Sequence, residues 1–102
     1  MNNNIKIILT KDELKRVKTR INNGKTEITV DLHSMHTKEA RRLLNNLIAI
    51  DRQCSELHAI HGFNHGTAIK DMIANDLSSP RIITKSVRKD NPGLTDIALA
   101  VA

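Results

Sequence analysis

The stretch "EITVDLHSMHTKEARRLL", residues 27–44, decides the fold. It opens in strict alternation: Ile28, Val30 and Leu32 are apolar, with Thr29, Asp31 and His33 between them. Successive side chains of an extended chain point to opposite faces, so this is a half-buried strand over 27–33. "SMHT" then turns the chain, with Thr37 suited to cap a helix. Ala40, Leu43, Leu44 and Leu47 follow at helical spacing, which predicts a helix over 37–51.

Working outward, "ELHAIH" at 56–61 reads as a second strand, and Ile69, Met72, Ile73 and Leu77 as a second helix, 66–77. "SSP" stops that helix. Two further strands are expected at 82–87 and 95–101, joined by the turn chemistry of "RKDNPG". The order is βαβαββ: an α/β chain, in layers an α+β sandwich, with two helices on a mixed four-stranded sheet. The first two strands should be parallel with a right-handed crossover, and the last two an antiparallel hairpin.

Residues 1–26 read as a separate basic extension, and 27–102 as the domain. "TKDE" is a capping box with Thr10 as N-cap and Glu13 reaching back. Leu14, Val17 and Ile21 continue at i, i+3 and i+7, predicting a helix over 10–22 that ends at "NNG". Residues 5–9, "IKIIL", are β-prone and suit an edge strand or an extended arm.

The chain of 102 residues carries a net charge of +5, and residues 11–25 hold six Lys/Arg against two Asp/Glu. That bias suits a polyanion, with Lys15, Arg16, Lys18 and Arg20 as nucleic-acid backbone contacts. The plainer reading is a solvated helix face. The single Cys54 allows no intrachain disulfide. With no apolar leader and no apolar run of roughly 20 residues, the expectation is a cytoplasmic protein and no membrane partner.

Parallel strands end at the same sheet edge, where ligands of such sheets bind. The first ends in Asp31-Leu32-His33 and the second in His61-Gly62. Asp31, His33, His36, His61 and His65 should therefore gather there. Asp31 and His33, at i and i+2, share a face. A carboxylate beside an imidazole orients it and suits general acid–base work. The same pair could equally ligate a divalent ion, or merely satisfy loop amides.

In "HGFNHGTAIK", Gly62 and Gly66 permit positive φ and close approach, and Asn64 tolerates the left-handed region. The loop opens a helix, so its amides suit a phosphate, with Lys70 adding charge. Phe63 is the only aromatic residue in the chain. In such a loop it could stack on a base or plug the sheet end. The substrate-binding set is thus His61, Gly62, Phe63, Asn64, His65, Gly66 and Lys70.

Three blocks in this order, "VDLHSMHTKEARRLL", "AIHGFNHGTAIKDMI" and "NPGLTDIALA", resemble the small MutS-related (Smr) domain family in a short free-standing form. The first is similar to its LDLHG-type strand and helix, the second to its HGxGxG-type loop, the third to its closing turn and strand. The resemblance implies a compact sheet with two helices, similar to the C-terminal domain of a bacterial translation initiation factor. It also implies nucleic-acid binding, with DNA nicking or RNA cleavage among the family's activities, in DNA repair or RNA processing. By resemblance Asp31 and His33 take the catalytic role and the Gly-containing loop holds substrate. Ser34 stands where a glycine usually follows DLH, Phe63 where lysine is common, and Asn64 where the middle glycine would be.

The leading reading is an endonuclease on DNA or RNA. The alternative is a non-catalytic nucleic-acid-binding module. A metal- or anion-binding domain using His33, His36, His61, His65 and Cys54 ranks last, because tight ligand spacings such as C-x₂-C are absent.

Overall fold

A computed structural model describes residues 8–62 and 66–101. The elements run α1 (Lys11–Lys15), β1 (Val17–Asn22), β2 (Lys25–Asp31), α2 (Thr37–Ile50), β3 (Cys54–Ile60), α3 (Ala68–Asn75), β4 (Ile82–Arg88) and β5 (Asn91–Leu99). The sheet order is β1-β2-β3-β5-β4. β2 and β3 are parallel, and β4 and β5 form an antiparallel hairpin, as the patterning requires. β5 runs antiparallel to both β3 and β4. β4 is therefore parallel to β3. Both crossovers step across the sheet in one direction, and right-handedness puts α2 and α3 on the same face.

The alternating residues face that layer. Ile28, Val30, Leu32, Leu57, Ala59 and Ile97 are fully buried beneath Ala40, Leu43, Leu44 and Leu47 of α2 and Ile73 of α3. Each fully buried Leu or Ile contributes about 1.5–3 kcal/mol relative to exposure, and the core needs no aromatic. α2 begins at Thr37 with His36 as its N-cap residue, one place earlier than the cap read from sequence.

Neither α2 nor α3 has a basic residue in its last turn. The β4 segment supplies the missing donors. Arg81 donates to the carbonyls of Ile48, Asp51 (3.0 Å), Arg52 (3.3 Å), Cys54 (2.8 Å) and Ala100 (2.9 Å). Lys85 Nζ donates to Ile73 (2.8 Å), Ala74 (3.1 Å) and Leu77 (2.9 Å). Orphaned helix-end carbonyls are thereby satisfied from the sheet.

The N-terminal reading needs correction. The capping box is real: Glu13 N–H donates to Thr10 Oγ1 at 3.1 Å and Thr10 N–H to Glu13 Oε1 at 2.9 Å. The helix, however, stops at Lys15. Residues Val17–Asn22 form a fifth strand, antiparallel to β2, where a helix over 10–22 and a four-stranded sheet were expected. The cause is the turn. Asn23 and Gly24 have φ of 54° and 77°, so "NG" is a two-residue type I′ hairpin loop and not a helix stop. Of the segment 5–9, only Ile8 and Leu9 are described, and Leu9 packs into the core.

Candidate active site

β2 and β3 deliver their carboxyl ends side by side, with Asp31 opposite Ile60 in register. One further bond, Leu32 N–H to the Ile60 carbonyl at 2.7 Å, prolongs the pairing to the turn. Ser34 then takes φ +67°, a left-handed turn that glycine adopts without strain. The turn leaves Asp31 and His33 on the same side. Asp31 Oδ1 lies 2.5 Å from His33 Nδ1 and also accepts the His33 backbone N–H at 3.1 Å. The His33 side chain is 60% exposed. With Nδ1–H donated to Asp31, the network assigns the free lone pair to Nε2.

Arg16 holds this turn from behind. Its Nη1 donates to the carbonyls of Asp31 (3.0 Å) and His33 (3.1 Å), and its own carbonyl accepts the Asp31 N–H at 2.9 Å. Sequence reasoning set Arg16 among phosphate contacts; its guanidinium instead faces the Asp-x-His backbone. Lys15 and Lys18 are exposed, and Arg20 lies 3.9 Å from Glu27 on the sheet face without helices.

The second loop meets the first. A Cβ placed on Gly62, at φ +74°, would lie 4.0 Å from His33 Cβ. Gly66 also has positive φ, +93°. The Gly93 carbonyl accepts both His61 and Gly62 N–H groups at 2.9 Å, tying this loop to the "NPG" turn. Between the loops lies a cleft of about 400 Å³, with His33, Ser34, His61, Gly62, Gly66 and Lys70 in its lining. Phe63, Asn64 and His65 lie outside the described residues.

His61 is buried, with Nδ1 2.9 Å from the Gly62 carbonyl and Nε2 2.8 Å from Thr95 Oγ1. Both nitrogens are committed, so it shapes the loop. His36 is exposed and does not join the cleft lining. Cys54 opens β3 at the opposite sheet edge, and burial pushes its thiol up to about 11. Among the described residues, His33, His36, His61 and Cys54 are therefore not gathered into one metal site.

The sheet face without helices holds a cluster that sequence reasoning missed. His58 Nδ1 lies 2.6 Å from Asp96 Oδ1, and its Nε2 2.8 Å from Glu27 Oε1. Arg88 donates to both Asp96 oxygens, at 2.8 and 3.1 Å. Burial opposes charge on His58, but the hydrogen bonds to Glu27 and Asp96 outweigh it and raise its pKa. The His58 hydrogen bond lowers the Glu27 carboxyl. For Asp96, burial is outweighed by Arg88 and His58, and its pKa is lowered too. Glu56, His58 and Asp96 are, among the described residues, the one group spaced to hold a metal ion. Arg88 occupies the Asp96 oxygens such an ion would need, so the cluster stands as an ionic network. Its members come from four strands, and only cross-strand register could have revealed it.

No family model matches the sequence, and no curated protein is significantly similar to it. Among solved structures, the Smr domain of Thermus thermophilus MutS2 superposes with a TM-score of 0.62. The match covers 71% of this chain and 96% of that one, at 23% identity. The chain has an Smr-like fold. β1 makes the Smr-like sheet five-stranded, and β1 with α1 brings Arg16 to the Asp31–His33 turn. Among the described residues, no helix is long and apolar enough to cross a membrane.

Proposed function

We propose that this Smr-like domain binds nucleic acid and cleaves its phosphodiester backbone, with Asp31 and His33 at the chemistry. The observation that carries the reading is the 2.5 Å Asp31–His33 contact at the mouth of a cleft shared with the glycine loop. Asp31 fixes the imidazole and stabilises the charge that forms on it. His33 Nε2 takes a proton from water, or from a ribose 2′-hydroxyl, as that oxygen bonds to phosphorus. The bond from phosphorus to the leaving oxygen breaks, and that oxygen takes up a proton from His33 or from solvent. Lys70, in the lining of the same cleft, offsets charge on the non-bridging oxygens. The similarity of the fold to an Smr domain adds to this reading.

The test is cleavage of labelled single- and double-stranded DNA and RNA by wild type, Asp31→Asn and His33→Ala. Loss of a general base costs about 10²–10⁴-fold in rate. Both variants should lose cleavage on that scale and keep binding. Undiminished cleavage by both would remove the pair from the chemistry.

A further inference from the structure

The solvent face of α2 follows a pattern that its apolar stripe conceals. Lys38, Arg41, Arg42, Asn45 and Asn46 recur at i, i+3, i+4, i+7 and i+8, so they share one face. Together they line a shallow concavity with no acidic or apolar side chain in it. Arg42 is engaged, 3.0 Å from the buried Glu13. Lys38 and Arg41 are exposed and, among the described residues, have no ion-pair partner.

This face is continuous with the cleft. The groove between α2 and α3 shares Ala68 with the cleft, and shares Lys38 and Arg41 with the α2 face. The groove itself also holds Asp71 and Asp76, and Glu39 is exposed in the first turn of α2, so the cationic path runs along the outer face of the helix. At 1.5 Å rise per residue, Lys38 to Asn46 spans about 12 Å, room for about two successive phosphates of a strand.

We propose that this α2 face is the track for the nucleic-acid backbone as it enters the Asp31–His33 cleft, with Lys38 and Arg41 contacting phosphates and Asn45 and Asn46 donating to phosphate or sugar oxygens. The inference rests on the nucleic-acid reading above and names the surface that carries it. Charge complementarity selects the partner: cations and amides match phosphates, and the face offers no apolar group to enter a lipid layer. Of the four N-terminal cations, Lys15 and Lys18 are exposed but two are engaged elsewhere. Arg16 is turned onto the Asp31–His33 backbone and Arg20 faces Glu27.

The experiment is fluorescence anisotropy of labelled oligo(dT) and oligo(U) strands over a series of KCl concentrations. Wild type is compared with Lys38→Gln/Arg41→Gln and Lys15→Gln/Lys18→Gln, each checked by thermal melting. For single strands each lost phosphate contact reduces the slope of log K against log salt by about 0.7. The α2 double variant should therefore lose about 1.4 units of slope and about tenfold in affinity at physiological salt, with an unchanged melting temperature. The N-terminal double variant should bind as wild type does. Binding by wild type with an unchanged slope in the α2 variant overturns the inference alone. A larger loss in the N-terminal variant also overturns it. No binding by wild type overturns the nucleic-acid reading, and this inference with it.

Discussion

Replacing Arg16 with Met separates the role found here from the one its charge suggests. Methionine keeps much of the aliphatic stem and removes the guanidinium. Two hydrogen bonds vanish, to the carbonyls of Asp31 at 3.0 Å and His33 at 3.1 Å. The bond to Asp12 also goes, but Asp12 is 74% exposed, and such a pair contributes little. Hydrogen bonds from a charged donor contribute about 1.5–3 kcal/mol when sheltered, and one of these two is solvent-exposed, so the sum is about 2 kcal/mol. For a domain of this size that lowers the melting temperature by about 8–16 °C. Arg16→Lys keeps the charge without the fork and should recover only part of the loss. The assay is a thermal melt followed by circular dichroism, paired with the anisotropy titration. A melting temperature within about 2 °C of wild type, with the salt slope reduced by about 0.7, would refute the clamp and restore Arg16 as a phosphate contact.

Ser34→Gly should stabilise the protein by about 0.5–1 kcal/mol, because relief of a left-handed non-glycine residue exceeds the entropy glycine adds to the unfolded chain; urea unfolding reads the difference. The His58 network predicts a pH window. His58 is raised, so its contribution is complete below its ordinary value of 6.5 and is lost as pH rises through the folded value. Glu27 and Asp96 are lowered, so theirs is complete above their ordinary values of 4.5 and 3.8 and is lost as pH falls. Urea midpoints across a pH series should peak between these limits, and His58→Gln should abolish the alkaline decline. Phe63→Ala is expected to weaken single-strand binding by about ten- to a hundredfold with an unchanged melt, since stacking on a base contributes about 1–3 kcal/mol; a large fall in melting temperature at unaltered affinity would identify a buried plug.

The parts of the fold legible from sequence were those whose signal is local. Ile28, Val30 and Leu32 alternate, Leu43, Leu44 and Leu47 recur at helical spacing, and each pattern predicts the buried face found. Asp31 and His33 were legible as a pair because an i, i+2 relation in a strand already places them together. The N-terminal segment was not, because its period is ambiguous. Leu14, Val17 and Ile21 fit a helix, yet Val17, Thr19 and Ile21 also alternate, and the type I′ turn at Asn23-Gly24 decides for the strand. The Arg16 clamp followed from that change, since only a hairpin returns Arg16 to Asp31. His58, Glu27 and Asp96 meet across strands whose register no single segment encodes. The cations and amides of α2 recur at the same helical spacing as its apolar stripe but on the opposite face, and a solvated helix face carries the same pattern.

The position of β5 bears on how the protein is made. A ribosome delivers β5 after β1 to β4, yet the sheet places it between β3 and β4. Leu57 must find Ile97 across 40 residues of chain. Closing a loop of that length costs about 3 kcal/mol beyond the length-independent part. While β5 is still in the exit tunnel, β3 has a bare edge and Thr95 cannot reach His61. The emerging polypeptide thus presents β1 to β3 and α2 without the strand that completes their sheet. Maturation of the cleft is expected to wait for β5, leaving an interval in which nascent chains are open to proteolysis or to pairing with one another.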